Sequence, residues 1–241
     1  MKNDEKGVAL VTGGTSGIGR TIVAELISLG YIVIANSDNE DNIPFGDNLY
    51  FYKADISKKV ELVNMKDWII KKFGKLDCLV ANAGICPKPC GINDITEENI
   101  DRTINVNLKG TFHTLNIFGE LIKETSDNGS IVAITSVDGV IGEPYGVIYS
   151  ATKAGIISLT KSFARHFNNP IVRVNAVAPG LIDTPLTDST GEDPSWTTDA
   201  SIIKRIGQPN EIAGTVTFLL SEKASFITGQ IIAVDGGFTL K

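Results

Sequence analysis

Residues 8–19 read Val8-Ala9-Leu10-Val11-Thr12-Gly13-Gly14-Thr15-Ser16-Gly17-Ile18-Gly19, and a helical pattern follows at once. The apolar run Val8–Val11 predicts a short buried strand. Beyond the glycines, Ile18, Ile22, Leu26 and Leu29 recur along one side of a helix, and Gly30 is placed to end it. Strand, glycine loop, helix is the context in which such a pattern predicts a dinucleotide site rather than a flexible turn. Gly13 would permit the tight turn, Gly17 a close approach of backbone to phosphate, and Gly19 close helix packing. Thr15, Ser16 and Ile18 share that loop, and the helix start offers free N–H groups to a pyrophosphate. The spacing is Gly-x-x-x-Gly-x-Gly rather than the commoner Gly-x-Gly-x-x-Gly.

Working outward, Tyr31–Asn36 predicts the second strand. A dinucleotide fold places its ribose reader at the end of that strand. Here the end reads Asn36-Ser37-Asp38-Asn39-Glu40-Asp41, with three carboxylates and no Lys or Arg. Ser37 and Asp38 are candidates for the adenosine ribose, and a 2′-phosphate would meet no cation. NAD is therefore expected ahead of NADP, which stays open, as does the plain alternative of a solvated acidic turn. From Asp38 to Leu49 there is no helical period, and Asn42, Pro44, Gly46, Asp47 and Asn48 read as loop. Leu49–Lys53 predicts a third strand, with Asp55 placed to face an adenine. Lys59–Phe73 is amphipathic through Leu62, Met65, Ile69 and Phe73.

Asp77–Ala81 predicts the fourth strand, closing in Asn82-Ala83-Gly84, small enough to pass close to a ribose or ring. A Pro-rich loop, Cys86–Gly91, could border a substrate. Asn99–Lys123 predicts one long helix whose buried stripe runs through Ile104, Leu108, Thr111, Leu115, Phe118 and Ile122, with Asn107 beside it. Ile131–Ile134, Ile171–Val177 and Ile231–Val234 predict further strands, and Glu211–Ser221 a helix. Leu181–Gly207 is polar and broken by Pro185, Gly191 and Pro194, the composition of a lid loop. Strands alternate with helices and no linker divides them, so one doubly wound parallel sheet accounts for residues 1–241 as a single domain.

The chemistry is expected between Ser136 and Lys153. Ser136 follows the Ile131–Ile134 strand, at the end where open α/β sheets bind ligands. Tyr149 and Lys153 are i and i+4 on the next helix, neighbours on one face. A phenol with a reference pKa of about 10 is a poor base near neutrality, and a neighbouring ammonium pulls that value down. A hydroxyl beside it can hold a carbonyl or alcohol oxygen, which suits proton exchange at oxygen while a hydride moves at carbon. Tyr145 competes for the role but has Tyr149, not a lysine, four residues on. His113 and His166 fall in separate helices and read as surface or packing residues.

Composition excludes other classes. With 22 Lys and Arg against 28 Asp and Glu, the net charge is −6, unfavourable for nucleic acid or an anionic membrane. The apolar runs are too short to span a bilayer. The charged start, Met1–Gly7, is not expected to be a signal peptide. Cys78, Cys86 and Cys90 have poor metal-ligand spacing and are expected as free thiols, with no metal and a cytoplasmic setting.

Together, Thr12-Gly13-x-x-x-Gly17-Ile18-Gly19, Asn82-Ala83-Gly84, Asn107, Ser136, Tyr149-x-x-x-Lys153 and Pro179-Gly180 resemble the short-chain dehydrogenase/reductase family nearly end to end. The resemblance implies a Rossmann-type sheet of about seven strands in the order 3-2-1-4-5-6-7, with helices on both faces. It implies that Tyr149 is the general acid or base, that Lys153 holds the nicotinamide ribose and lowers the Tyr149 pKa, and that Ser136 binds the substrate oxygen. Asn107 would fix a proton-relaying water. Asp55 and Ile56 would flank adenine and Asn82 its ribose, with Ile182 and Thr184 near the carboxamide. A homotetramer or dimer is implied, with Asn99–Lys123 and Tyr149–Asn168 at one interface. The lid, about 184–207, is short and acidic. Asp138, Glu143, Tyr145 and Cys86 join Ser136 as substrate-pocket candidates, and the two carboxylates favour a polar alcohol or ketone such as a polyol, sugar derivative or hydroxy acid. A 3-oxoacyl-[acyl-carrier-protein] reductase is the enzymatic alternative, and a non-catalytic NAD(H)-sensing binding protein the alternative of another class.

Overall fold

Val8 and Leu10 belong to one buried cluster, Ala9 and Val11 to another, so alternate residues of one strand feed two cores. That is the signature of a sheet covered on both faces. The computed structural model describes residues 7–41, 46–168, 172–191 and 193–240. Among them, β1 (Val8–Thr12), β2 (Ile32–Ser37), β3 (Leu49–Lys53), β4 (Cys78–Ala81), β5 (Ser130–Ile134), β6 (Arg173–Pro179) and β7 (Ile231–Val234) form one parallel sheet in the order β3-β2-β1-β4-β5-β6-β7. The order turns back at β1, flanked by β2 and β4. The strand ends there diverge and leave a crevice.

The first face is covered by α2 (Lys59–Phe73), α4 (Thr111–Thr125) and α6 (Val147–His166), through side chains such as Met65, Phe118 and Ile156. The second is covered by α1 (Gly17–Ser28), packed against α9 (Pro209–Leu220) through Ile22, Leu26, Val216 and Leu219. Each fully buried Leu, Ile or Phe contributes about 1.5–3 kcal/mol. No helix among the described residues is long and apolar enough to cross a membrane.

Several expected boundaries shift. β2 begins at Ile32, β4 at Cys78 and β6 at Arg173; Ile171, Asn42 and Pro44 lie outside the described residues. Leu29 lies beyond the end of α1 and is 38 % exposed; Val23 is buried in its place. The long helix is not uniform. It starts at α3 (Glu97–Thr103), winds as a π-helix over Ile104–Gly110, and resumes as α4. An i→i+5 turn admits an extra residue and rotates the remainder of the helix about its axis. Ile104, expected on the buried stripe, is accordingly 39 % exposed, while Thr103 and Asn107 are fully buried. A short α5 (Asp138–Ile141) follows β5. The lid is not loop throughout: it holds α7 (Pro185–Thr190) and α8 (Ser195–Ala200). α7 is started by Thr184, whose hydroxyl accepts from Thr187 N, and by Pro185 in the first turn.

Candidate active site

The glycine loop is clasped before anything binds to it. Thr12 Oγ1 accepts from Asn82 N at 3.0 Å and Ala83 N at 3.1 Å. The Asn82 side-chain amide donates to Thr12 O at 2.9 Å and Gly13 O at 3.2 Å. Asn82, expected beside the adenine ribose, therefore spends its side-chain amide on bracing the loop. Gly13 and Gly17 have φ of +63° and +49°, where glycine alone is unstrained. A Cβ on Gly19 would fall 2.1 Å from Gly13 O, so the third glycine is required by packing. No side chain caps the start of α1, and its first N–H groups remain available to an anion.

Two cavities meet at Gly13, Ser16, Ala83 and Gly84. The larger, about 590 Å³, takes in the end of β2 with Ser37 and Asp38, the loop after β3 with Asp55 and Ile56, and Thr15. The smaller, about 180 Å³, runs past Gly17, Ile18 and Gly19 to Ser136, Tyr149 and Lys153. Its far wall is Pro179, Gly180, Ile182 and Thr184. The cleft thus collects every residue expected to hold a dinucleotide. Besides Asn82, two are engaged differently from expectation. The Asp55 carboxylate is held low by hydrogen bonds from Ser57 N and Oγ, at 2.9 and 2.7 Å, against the cost of burial. The Thr184 hydroxyl is the α7 cap.

The catalytic candidates converge next to Gly84, where a Cβ would lie 3.2 Å from Asn107 Oδ1 and 3.5 Å from Lys153 Nζ. Asn107 Oδ1 accepts from Ile85 N at 2.8 Å, and Nδ2 donates to Ile85 O at 2.8 Å and Thr152 Oγ1 at 3.3 Å. Its side chain is a clamp between the π segment, the strand end and α6. Lys153 Nζ donates to Ile134 O at 3.1 Å and lies 5.5 Å from the centre of the Tyr149 ring. Thr135 Oγ1 donates to Lys153 O at 2.7 Å, tying α6 to the end of β5. Ser136 is buried, shares the cavity wall with the Tyr149 phenol, and accepts from Asp138 N at 3.1 Å.

The electrostatics correct one expectation. The Tyr149 pKa is not lowered: burial pushes it up, Cys86 and Asp138 add to that, and only the neighbouring Ser136 hydroxyl opposes. Burial pushes Lys153 down to about 8, with Cys86 and Asp138 acting the other way. Both groups resist ionisation for one reason: removal from water disfavours the charged form.

A cavity of about 90 Å³ opens beside Tyr149, with Ser136, Cys86, Asp138 and Glu143 on its walls. Burial, with some repulsion from Glu143, raises the Asp138 pKa. Tyr145 is not on this wall. It is 61 % exposed and lines a neighbouring groove with Cys90, because the turn is folded back by a bond from Tyr145 N to Glu143 Oε1 at 3.1 Å. The sequence reading missed Trp196 of α8 and Phe238, which pack edge to face at 5.6 Å and line the same cavity; an aromatic residue in an otherwise polar lid was the available signal. It also missed Arg102, Asn105 and Val106 on the larger cavity. His166 pairs with Glu120 at 2.8 Å, and neither histidine lines a cavity of this cleft.

Comparison with known proteins points the same way. Residues 13–239 match the family model described as enoyl-(acyl carrier protein) reductase. A 3-oxoacyl-[acyl-carrier-protein] reductase, FabG, of Thermotoga maritima is 36% identical, over 97% of this chain and 98% of its own length. A solved 3-ketoacyl-(acyl-carrier-protein) reductase from Brucella melitensis complexed with NADH superposes with a TM-score of 0.92 at 30% identity, over 98% of this chain and 99% of that one. The structure of ElxO with NADP bound superposes with a TM-score of 0.90 at 30% identity, covering 98% and 99%.

Proposed function

This chain belongs to the short-chain dehydrogenase/reductase family, and from that premise we propose that it is a nicotinamide-dependent ketoreductase of 3-oxoacyl thioesters. The observation that carries the reading is the Ser136–Tyr149–Lys153 cluster at the end of the cleft, in a chain whose full-length relatives are named for that reaction. The polar-alcohol substrate expected from Asp138 and Glu143 becomes the second reading; those two carboxylates on the cavity wall are what favours it.

The residues fit the cofactor. The uncapped start of α1 and the glycine loop would take the pyrophosphate, and Gly84 leaves room beside Lys153 for a ribose. Bound there, the cofactor supplies the hydride in reduction. Ser136 donates a hydrogen bond to the substrate carbonyl oxygen and fixes it against the Tyr149 phenol. Tyr149, kept protonated by burial, gives its proton to that oxygen as negative charge develops. Lys153 would hold the ribose hydroxyls and, 5.5 Å from the Tyr149 ring centre, would provide the positive charge beside the phenolate left behind. Asn107 keeps Ile85 and α6 in register so that these groups stay aligned. Asp38 at the end of β2 supports NAD(H) ahead of NADP(H). Exposed Ile104 and Phe112, at 39 % and 42 %, support self-association through the face of the π segment and α4.

The test is a titration of the purified protein with NADH and NADPH, then a panel of acetoacetyl thioesters, polyols and hydroxy acids with the tighter cofactor. Thioester-dependent oxidation of the reduced cofactor is expected. Turnover of polyols or hydroxy acids alone would establish the second reading. Saturable binding with no turnover on the panel would leave a nucleotide-sensing protein.

A further inference from the structure

The adenosine end of the cleft carries a cation that the end of β2 lacks. Arg102, on α3, lines the larger cavity together with Asn105 and Val106. It is the one Lys or Arg on that wall among the described residues, and it makes no ion pair or hydrogen bond there. The nearby lysines are engaged: Lys53 with Glu40 at 3.5 Å, and Lys58 with Glu61 at 3.2 Å and Asp55 at 3.6 Å. Arg102 lies in the last turn of α3 and Val106 in the π segment that follows, and both line the cavity. The same cavity is lined by Ala54 and Ile56, and Ile56 packs so closely on the π segment that a Cβ at Gly110 would fall 2.9 Å from its side chain. Apolar Ala54, Ile56 and Val106 therefore bound a slot suited to a flat ring, and a planar guanidinium stands one turn before Val106.

Resting on the reading that this cleft holds a nicotinamide dinucleotide, we propose that Arg102 binds the adenine by stacking its guanidinium on the ring. Guanidinium planes stack on aromatic faces, an interaction that depends on the plane as well as the charge. A 2′-phosphate is not the partner, because Asp38 and Asp41 line the ribose side and repel it. Arg102 then strengthens NADH and NADPH alike and leaves discrimination to the end of β2.

The experiment is calorimetric titration of the wild type, Arg102→Ala and Arg102→Lys with NADH, NADPH and ADP-ribose, a probe that lacks the nicotinamide. Arg102 is exposed, so the variants should keep the wild-type unfolding midpoint. Arg102→Ala is expected to weaken NADH and ADP-ribose by about tenfold and NADPH by the same factor, with Arg102→Lys recovering only part. Unchanged ADP-ribose affinity, a loss confined to NADPH, or full recovery with lysine would overturn the assignment. Absence of NADH and ADP-ribose binding to the wild type would instead remove the dinucleotide reading beneath it.

Discussion

Tyr149→Phe is expected to lower kcat for ketone reduction by roughly 10³-fold or more while the NADH Kd stays within about twofold. The substitution removes one hydroxyl and keeps the ring. The phenol is the proton source placed against Ser136, and burial keeps it protonated through the neutral range. Its loss leaves the developing alkoxide with the Ser136 hydrogen bond but no proton within reach. The glycine loop, the uncapped start of α1 and the Asn82 clasp are untouched, so cofactor binding survives. Turnover within about tenfold of wild type would transfer the acid role to another group. Tyr145 would not be the first choice, since it lines a different groove.

Lys153→Met is expected to lose at least about 10²-fold in kcat/KM while the fold holds or gains stability. The pKa of Lys153 falls from 10.5 to about 8 because its ammonium is buried. A shift of that size corresponds to a penalty on the order of 3 kcal/mol for keeping the group charged. Methionine removes the penalty and keeps much of the stem, although Ile134 O loses its donor at a cost of about 1 kcal/mol. The sign comes from linkage. The folded pKa lies below the unfolded value, so the penalty is complete below about pH 8 and fades as pH rises from there towards 10.5. Wild-type stability should therefore gain from this group across that window, and the Met variant should lack the gain. In the wild type, kcat/KM for reduction should decline above about pH 8 as the ammonium that supports the phenolate is lost. A variant several degrees less stable at neutral pH, or a rate profile flat to pH 10.5, would contradict the role assigned to this lysine.

Legibility in the chain divides along physical lines. β1 and β5 are short, almost wholly apolar runs because a parallel sheet is covered on both faces, so their place and type were visible without any partner strand. The glycine loop was legible because positive φ and close packing leave no other residue type. The Tyr149–Lys153 pair was legible because it depends on one helical turn. The π segment was not: a period of 3.6 fitted over Ile104–Gly110 assigns Ile104 to the core, and only the tertiary demand for a buried Asn107 decides otherwise. α7 was legible in principle from Thr184 and the adjoining Pro185, but its polar composition hid it. The direction of the Tyr149 shift was misread because burial, the largest cause of the shift, belongs to the folded chain and not to a spacing. Arg102 was missed for a different reason: its place on the cleft wall is a tertiary contact that no spacing in the chain marks.

The most direct test tracks the hydride itself. NADH carrying deuterium at the transferable position of nicotinamide C4 is incubated with the protein and an acetoacetyl thioester, and the product is examined by NMR. The account predicts deuterium on the carbinol carbon of a single 3-hydroxyacyl enantiomer, and none with Tyr149→Phe over the same time. Label retained in the cofactor while NADH binds saturably would contradict it.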